Sequence, residues 1–418
     1  MSERCDIAIV GAGAAGLAAA IFAAETAAAS TRLVLLEGAA RLGAKILISG
    51  GGRCNVTNTE VRPEDFNGAR PVVRNILAAF DTHATVRWFA GLGVALKPEA
   101  GGKLFPVSDR ARTVLDALVH RAAALHVDVR SAQRVADVTP QPDRSFIVRH
   151  TLGALRAGQV ILATGGRSLP RTGSDGSGWD IVRRLGHTVT ETYPALVPLM
   201  LANGFHRELS GVSQPVELSI FANGKRIDQR AGNLLWTHFG ISGPVVMDAS
   251  RHWVIAHATG ATVEMRCSFL PGRSFEAVER HLIETAATRP RLSVGRLLAH
   301  DLPERVAAAL ARAAGVDPGL PFARLSRPQR RQLAHALTAF VLPVVGVRGW
   351  DYAEVTAGGV PLNEIDYRTM QSRRTPGVFL AGELLDCDGR IGGFNFQWAW
   401  ATGYLAGRGA ARHPGATG

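Results

Sequence analysis

The chain has 418 residues, of which 46% are hydrophobic and 20% charged, and this composition is typical of folded globular proteins rather than of disordered or fibrous chains. Its length exceeds the roughly 250 to 300 residues that one hydrophobic core supports, so two or three domains are expected. The formal charge of +12 comes from scattered arginines, with lysine only at 45, 97, 103 and 225, so we expect neither a nucleic-acid partner nor a membrane.

Residues 5–37 predict a strand, a glycine turn, a helix and a second strand that ends in an acid. Gly11 permits a tight turn, Gly13 lets the backbone approach a pyrophosphate, and Gly16 lets the helix pack closely on the strand. Glu37 lies 21 residues beyond Gly16, where a carboxylate meets a ribose 2′-hydroxyl, and this favours FAD or NAD over NADP. The residues predicted to bind the dinucleotide here are Gly11, Gly13, Ala14, Ala15, Gly16 and Glu37.

The same stretch has a second interpretation. Residues 7–24 form an uncharged run of 18 residues, long enough for a membrane helix or a signal peptide. Three glycines in the first ten residues of the run, and the lack of a basic flank, argue against both. We therefore expect a dinucleotide-binding unit.

The next motif is a run of three glycines, Gly50 to Gly52, within residues 41–58. Consecutive glycines indicate a backbone that turns sharply or lies against a ligand, although a flexible surface loop is the alternative. Successive N–H groups in such a turn can form an anion-binding nest, with Lys45 and Arg53 as nearby positive charges.

Residues 41–58 also resemble the RxGxKxxxSGGGRCNxTN segment of a bacterial flavoprotein family called aminoacetone-oxidase-like, YhiN-like or BaiN-like. The resemblance implies an α/β fold, with a glutathione-reductase-type Rossmann FAD-binding domain, an inserted β-barrel domain and a small helical domain. It also implies FAD contacts from Gly43, Lys45, Ser49, Gly50, Gly51, Gly52, Arg53 and Asn55.

The middle of the first domain is predicted as helix, loop and strands. Residues 70–92 have the apolar period of one amphipathic helix, and a later helix is expected to be capped by Ser108 or Asp109. Short alternating runs over 127–163 predict strands that end in an Ala-Thr-Gly corner. By resemblance, the cofactor contacts in this region are Val135, Ala163, Thr164 and Gly165.

An insertion then interrupts the domain. Residues 209–269 alternate as short strands with a turn at Asn223-Gly224, which suggests a small barrel that contains His238. Residues 274–342 have helical periods, with Ser274 and Ser326 as helix N-caps and Pro328 near a helix start. The predicted domains are residues 1–192 with 353–418 for FAD, 193–272 with 343–352 for the barrel, and 273–342 for the helices.

The chain returns to the first domain with a strand, a Gly-Glu corner, a glycine pair and a helix, which is again anion-binding geometry. The segment resembles the family's AGExLDxDGxxGGYNLQ run, with Phe394 and Phe396 in place of Tyr and Leu. By resemblance, the contacts to the flavin, ribityl and pyrophosphate groups are Gly382, Glu383, Asp386, Gly392, Gly393, Phe394, Asn395, Phe396 and Gln397.

These features predict an FAD-dependent oxidoreductase that moves hydride through flavin N5. The resemblance suggests either NAD(P)H-driven reduction of a conjugated enone or oxidation of a small amine, and no second glycine fingerprint provides a nicotinamide domain. The candidate catalytic residues are Arg53, Cys54, Asn55 and His238. Cys54 is expected to pack beside the cofactor rather than to form an adduct with it.

The remaining predictions concern partners and compartment. The four cysteines contain neither a CxxC pair nor zinc-like spacing, so we expect no metal site and a reduced cytoplasmic compartment. The absence of a CxxxxC pair argues against a flavin-disulfide reductase. A small-molecule substrate is expected, the oligomeric state is left open, and the alternative function is an RNA-associated flavoprotein resembling FAD-dependent tRNA-modifying enzymes.

Overall fold

The computed structural model describes residues 3–412, which form two compact units. The first unit runs to Tyr193 and resumes at Glu354, and the second comprises Pro194–Ala353. Among the helices of residues 3–412, none is long and apolar enough to cross a membrane.

The first unit begins with alternating strands and helices. Its strands up to the unit boundary are β1 (Glu3–Val10), β2 (Leu33–Leu36), β3 (Thr57–Asn58), β4 (Phe66–Asn67), β5 (Leu96–Pro98), β6 (Lys103–Pro106), β7 (Asp128–Arg130), β8 (Val135–Pro140), β9 (Phe146–His150), β10 (Gly153–Leu162) and β11 (Tyr193–Ala195). Its helices are α1 (Ala14–Thr26), α2 (Ala44–Gly52), α3 (Arg70–Ala79), α4 (Thr82–Gly91), α5 (Ala111–Ala124) and α6 (Ser177–Arg184).

The second unit contains strands on both sides of a helical segment. Its strands are β12 (Leu199–Leu201), β13 (Ser213–Ala222), β14 (Lys225–Thr237), β15 (Gly240–Ser242), β16 (Val263–Ser268), β17 (Phe340–Leu342) and β18 (Val344–Val347). Its helices are α7 (Pro244–Ala258), α8 (Phe275–Thr288), α9 (Val294–Asp301), α10 (Glu304–Ala313) and α11 (Arg327–Thr338). The first unit then closes with β19 (Val355–Ala357), β20 (Ile365–Asp366), β21 (Gln371–Ser372), β22 (Val378–Leu380), β23 (Asp388–Gly389) and α12 (Phe394–Arg412).

A central sheet in the order β20-β21-β22-β10-β1-β2-β7 organises the first unit. Strand β1 is parallel to both neighbours, with Ile9 opposite Leu35 on one side and Ile161 on the other. Strand β22 continues the parallel set beside β10. Because carboxyl ends of parallel strands meet at one edge, the turns after β1, β2, β10 and β22 lie together there.

Helices α1 and α12 pack closely enough to need small residues. A Cβ atom added at Gly403 would lie 2.6 Å from the Ala15 carbonyl oxygen, and one at Gly407 would lie 2.4 Å from that of Ala19. Both distances are below any real Cβ contact, so these glycines set how near the two helix backbones approach. The packing brings the last helix of the chain against the helix of the first glycine motif.

Two predictions about helices in the first unit are wrong. The single helix predicted over 70–92 is interrupted at Phe80, because the side chain of Asp81 accepts a hydrogen bond from the Ala84 N–H at 2.7 Å and starts α4. Neither Ser108 nor Asp109 caps α5, which follows Arg110 with no side-chain cap. The Ser108 hydroxyl instead donates to the Thr113 hydroxyl at 2.8 Å.

The second unit contains an antiparallel seven-stranded sheet in the order β17-β16-β13-β14-β15-β12-β18. The predicted turn at Asn223-Gly224 is confirmed, with φ of 50° and 78° joining β13 to β14. The edge strands β17 and β18 are consecutive in the chain, separated only by Pro343. A closed barrel and a separate helical subdomain remain predictions.

The sequence missed α7, which lies inside the region predicted to be strands alone. Its run from Val245 to Met247 is buried and apolar, and such a run has no period that distinguishes a strand from a buried helix. The predicted N-caps are confirmed: Ser274 accepts from the Ala277 N–H at 3.2 Å, and Ser326 forms a capping box with Gln329.

Candidate cofactor site

The glycine turn after β1 lies at the carboxyl edge of the central sheet. A Cβ at Gly11 would lie 2.5 Å from the Ala163 carbonyl oxygen, and one at Gly16 would lie 1.7 Å from the Gly11 carbonyl oxygen. Gly11 also has φ of +99°, a conformation that favours glycine. The two residues are therefore required for packing of strand, turn and helix, as the motif predicts.

Gly13 is different, because a Cβ there would meet nothing within 4 Å. Its φ of −80° and ψ of −168° are open to any residue, and it precedes α1 without supplying a side-chain cap. The space beside Gly13 is therefore open at the N-terminus of α1, where unpaired first-turn N–H groups and the positive end of the helix dipole lie. This cradle fits a pyrophosphate.

Glu37 closes the turn from the end of β2. One carboxylate oxygen accepts from the Ala12 N–H at 2.7 Å and the other from the Ala39 N–H at 2.8 Å. A carboxylate has about four acceptor positions, so Glu37 can hold the turn and still accept from a ribose hydroxyl. The sequence predicted the contact with the ribose and did not predict the hydrogen bonds that hold the turn.

The glycine run Gly50 to Gly52 is a sharp turn at the end of α2. Gly50, Gly51 and Gly52 all have left-handed φ, at 56°, 69° and 83°. A Cβ at Gly50 would lie 2.9 Å from the Phe105 ring, whereas one at Gly51 would meet nothing within 4 Å. The turn itself is confirmed, and its contacts to a cofactor stay a prediction.

Arg53 holds this turn to the small sheet of β5 and β6. Its guanidinium forms two bonds with Glu99, at 2.7 and 3.2 Å, and one with Asp109 at 3.4 Å. It also lies 4.1 Å from the centre of the Phe105 ring. The hydrogen bond with Glu99 raises the pKa of Arg53. The sequence did not predict this structural task, and a role toward substrate stays a prediction.

Cys54 and Asn55 follow in the same loop and are both buried. Burial raises the pKa of the Cys54 thiol to about 12, so it is neutral and weakly nucleophilic. The side-chain oxygen of Asn55 is buried with no hydrogen-bond partner among residues 3–412. A buried amide oxygen without a partner calls for a donor, and a bound ligand can provide one.

A network of charged and hydroxyl side chains joins three distant parts of the first unit. Lys45 donates to Glu383 at 2.6 Å and to the Ser168 hydroxyl at 2.5 Å. Glu383 also accepts from Ser168 and from the Thr356 N–H, both at 2.8 Å. Lys45 and Glu383 were predicted separately as cofactor contacts, and the structure pairs them with each other. Ser168 and Thr356 were missed, although each lies two residues from a glycine pair.

The Ala-Thr-Gly corner after β10 contains further buried polar atoms. The hydroxyls of Thr164 and Ser174 are buried and have no partner within the described residues. A Cβ at Gly165 would lie 2.5 Å from the Ser174 hydroxyl, so the corner and the loop around Ser174 are in close contact. Ala163 and Val135 are buried beside the sheet, with Val135 opposite His150 in the hairpin of β8 and β9.

The start of α12 forms the other glycine site. Gly392 and Gly393 have φ of 125° and 96°, and a Cβ at Gly393 would lie 2.4 Å from the Thr57 carbonyl oxygen. The side chain of Asn395 exchanges two hydrogen bonds with the Gly389 backbone, at 2.8 and 2.9 Å. This close packing fixes the direction in which the first N–H groups of the helix point.

The backbone N–H and both polar atoms of the Gln397 side chain form hydrogen bonds within the protein. It is fully buried; its N–H donates to the Gly393 carbonyl at 2.9 Å, and its side-chain amide donates to the Phe80 carbonyl at 2.7 Å. Its amide oxygen accepts from the hydroxyls of Thr57 at 2.7 Å and Thr85 at 2.9 Å. Gln397, which was predicted to contact the cofactor, therefore lies in the protein core with its side-chain amide hydrogen-bonded to protein groups.

The other predicted residues of this segment lie around it. Gly382 has φ of 73° and packs against Ala15, while its N–H donates to the Thr402 hydroxyl at 3.0 Å. Asp386 accepts a hydrogen bond from the Thr190 hydroxyl at 3.2 Å. Phe394 is buried, and the ring of Phe396 stacks on Trp400 with centroids 5.6 Å apart.

His238 lies in the second unit, between β14 and β15. Its side chain is exposed, and its backbone carbonyl contacts the His206 ring nitrogen at 3.2 Å. Within the first unit, direct contacts join predicted residues from separate motifs: Gly11 packs on Ala163, Gly382 packs on Ala15, and Lys45 pairs with Glu383. His238 belongs to the second unit. Among residues 3–412 no cluster of histidine, cysteine or carboxylate side chains is arranged to hold a metal.

Comparison with known sequences matches almost the whole chain. A family model described as HI0933-like protein Rossmann domain matches residues 5–409. A 3-dehydro-bile acid delta(4,6)-reductase of Clostridium scindens is 34% identical over 98% of this chain and 99% of its own. Ribosomal RNA dihydrouridine synthases of Escherichia coli and Haemophilus influenzae are 33% and 30% identical, over 96% and 97% of this chain and 97% and 98% of their own.

Solved structures share the fold at low sequence identity. A 3-ketosteroid-delta4-(5alpha)-dehydrogenase from Rhodococcus jostii has a TM-score of 0.50 and 16% identity, over 98% of this chain and 97% of its own. The E. coli quinol fumarate reductase has a TM-score of 0.53 and 17% identity, over 100% of this chain and 72% of its own. At these identities the likeness concerns the fold alone.

Proposed function

This chain belongs to the HI0933-like Rossmann family and is an FAD-dependent oxidoreductase, and from that premise we propose that it reduces a carbon–carbon double bond conjugated to a carbonyl group. We propose NADH or NADPH as the transient electron donor and a cytoplasmic location. The location is supported by Cys5, Cys54, Cys267 and Cys387, which are all free thiols and all buried.

One observation carries the proposal: the curated relatives are named for different substrates with the same reactive bond. In a 3-oxo steroid skeleton, a Δ4 double bond is conjugated to the C3 carbonyl and a Δ6 double bond extends that system. In uracil, the C5–C6 double bond is conjugated to the C4 carbonyl. Reduction of either adds hydride to the electron-poor carbon and a proton to its neighbour. The names of these relatives favour reduction over the oxidation of a small amine.

The residues of the first unit have separable tasks in this proposal. Gly13 and the first turn of α1 would hold the pyrophosphate, and Glu37 would hold the ribose. The N-terminus of α12, held close to Thr57 at Gly393, would place its positive dipole end and N–H groups at the flavin pyrimidine ring, where negative charge develops. Bound FAD would supply hydride at flavin N5.

The proposed catalytic residues differ in how well their surroundings support a role. Asn55 has the strongest support, because its buried oxygen has no partner in the described part of the chain. Cys54 is neutral and fully buried, which supports packing rather than adduct formation. Arg53 remains a proposal for orienting an anionic or carbonyl substrate, and His238 remains a proposal for contact with substrate.

The test uses the yellow holoprotein under anaerobic conditions. We expect NADH or NADPH to bleach the flavin, and a 4-en-3-one or 4,6-dien-3-one steroid or a uracil-containing RNA to restore the colour. Mass spectrometry should show two added hydrogens in the product. A flavin that is bleached by dithionite but by neither nicotinamide would refute the donor. A reduced flavin that no conjugated carbonyl compound reoxidises would refute the reaction.

A second candidate narrows the substrate to uracil within RNA. It is supported by two of the three curated relatives described above, which are named ribosomal RNA dihydrouridine synthases, and by the formal charge of +12. A free steroid and an RNA-bound base are distinguished directly in the reoxidation experiment. Whichever compound restores the colour faster at equal concentration is the better substrate class.

A further inference from the structure

The second unit contains two segments rich in arginine and free of carboxylates. Residues 285–300 contain three arginines, and residues 318–350 contain five, with no Asp or Glu in either segment. The sequence alone predicts scattered charges, because the two segments are separated along the chain. The fold places them side by side.

Backbone hydrogen bonds join the two segments where their arginines are densest. The Phe322 N–H donates to the Leu292 carbonyl and the Ala323 N–H to the Pro290 carbonyl, each at 3.0 Å. Because Arg289 and Arg291 flank Pro290, and Arg324 directly follows Ala323, these three side chains extend from one paired edge. We name the five arginines of these paired segments the arginine edge: Arg289, Arg291, Arg296, Arg324 and Arg327.

All five side chains of the arginine edge are exposed, and none forms an ion pair or hydrogen bond with another residue of the described chain. Other arginines of this region are paired: Arg330 and Arg331 contact Glu279, and Arg273 contacts Asp301. Asp317, which directly precedes the second segment, accepts a hydrogen bond from the Gly319 N–H. The edge is thus a concentrated positive charge without local neutralisation.

We propose that the arginine edge is a docking surface for the phosphate backbone of RNA. The inference deepens the proposed function, on which it rests for the choice of RNA among polyanions. Arginine binds phosphate with a planar fork of donors, and prolines in both segments limit the flexibility of the backbone that carries the forks. Exposed large hydrophobic side chains lie at Ile283, Val341 and Val345, and none lies between Arg289 and Arg327. A membrane surface needs apolar side chains that insert among the basic ones.

The test compares two triple variants of the holoprotein with the same change in charge. The first is Arg289→Gln with Arg291→Gln and Arg324→Gln. The control is Arg112→Gln with Arg183→Gln and Arg312→Gln, which removes exposed arginines that each pair with a carboxylate at 3.8, 3.0 and 2.8 Å. Binding of a fluorescently labelled oligouridylate is measured over a range of salt concentrations.

Each phosphate contact to a single strand contributes about 0.7 to the slope of log affinity against log salt. Three contacts therefore contribute about 2 to the slope, which is about 100-fold in affinity at roughly 0.1 M salt. In the first variant we expect the salt slope to fall by about 2 and the RNA affinity to fall about 100-fold. We expect the RNA affinity of the control to stay within about threefold of that of the parent protein.

The remaining outcomes separate this inference from the proposed function. Equal RNA affinity in all three proteins, or no RNA binding by the parent, would overturn the docking surface. Binding of phosphatidylglycerol vesicles through the same arginines, without RNA binding, would overturn it in favour of a membrane. Bleaching by NAD(P)H and reoxidation by a steroid enone report on the reductase independently, and we expect both to be unchanged in the first variant.

Discussion

Replacement of Gly13 by alanine separates cofactor binding from folding. The backbone of Gly13 has φ of −80° and ψ of −168°, which alanine adopts without strain, and the added Cβ meets nothing within 4 Å in the protein. Alanine is a weaker helix N-cap than glycine, but it also reduces the entropy of the unfolded chain. These contributions oppose each other, so the free energy of unfolding should change by less than about 1 kcal/mol.

The effect on FAD should be much larger, because the methyl group enters the space proposed for the pyrophosphate. Loss of one charge-assisted hydrogen bond from the α1 N-terminus costs about 1.5–3 kcal/mol, which corresponds to about a 10- to 150-fold weaker affinity. The assay is flavin fluorescence titration of the deflavinated protein, together with urea unfolding of the apoprotein.

Gly16→Ala is the matched control for Gly13→Ala. Its Cβ would lie 1.7 Å from the Gly11 carbonyl oxygen, so the turn itself must move, and apoprotein stability should fall by at least about 1–3 kcal/mol. Gly13→Ala should therefore weaken FAD binding with little change in stability, whereas Gly16→Ala should lower the stability of the apoprotein. If Gly13→Ala binds FAD within threefold of the parent protein, the pyrophosphate does not lie at Gly13, and the argument from open space is wrong.

Three further predictions concern buried side chains. Cys54→Ser should retain FAD and at least partial activity, and colourless protein from this variant would contradict that prediction. In the parent protein, the thiol should react very slowly with iodoacetamide at pH 8, because burial raises the pKa of Cys54 to about 12. Gln397→Leu removes the partner of the Thr57 hydroxyl and of the Phe80 carbonyl, whereas the Thr85 hydroxyl can still donate to the Asp81 carbonyl. The free energy of unfolding from urea titration should fall by about 2 kcal/mol or more. A loss below about 1 kcal/mol would refute the role of Gln397 in holding these buried groups together. His187 and Glu364 contact each other at 2.8 Å, and the pKa of each is lowered in the folded protein. Burial lowers the pKa of His187 against the effect of this hydrogen bond. Burial raises the pKa of Glu364, but hydrogen bonds from Thr188, His187 and Arg374 lower it by more. The stabilisation by His187 is therefore fully present above its usual pKa of 6.5, that by Glu364 above its usual pKa of 4.5, and each is lost as pH falls. Between pH 7 and pH 5, the free energy of unfolding should decrease less steeply in His187→Gln than in the parent protein. An identical slope would refute the assignment to His187.

The family, the Rossmann-type FAD-binding fold and the oxidoreductase class were predicted from short local motifs and are confirmed. Such motifs are readable because each glycine has a local reason. Gly11 needs its positive φ, and Gly16 tolerates no Cβ against the preceding turn. A helix start is equally local, and Ser274 and Ser326 cap as predicted.

The pairing of side chains could not be predicted in the same way. Lys45 and Glu383 each belong to a motif that suggested contact with the cofactor, and their partnership links positions 338 residues apart. Arg53 has the residue type expected of a substrate contact, yet Glu99 and Asp109 engage its guanidinium. A sequence motif identifies a residue's chemistry but not which of its neighbours satisfies it.

By itself, the sequence determined where the glycine turn lies, because the positive φ of Gly11 and the close packing of Gly16 on Gly11 depend on residues near each other in the chain. Only the tertiary structure decided which polar groups are used within the protein and which remain open to a ligand. Gln397 is buried in the core, while the oxygen of Asn55 has no partner within residues 3–412. It also decided that arginines from two segments form one surface. The physical reason is that hydrogen bonding and charge neutralisation depend on distance in space, and the fold sets that distance.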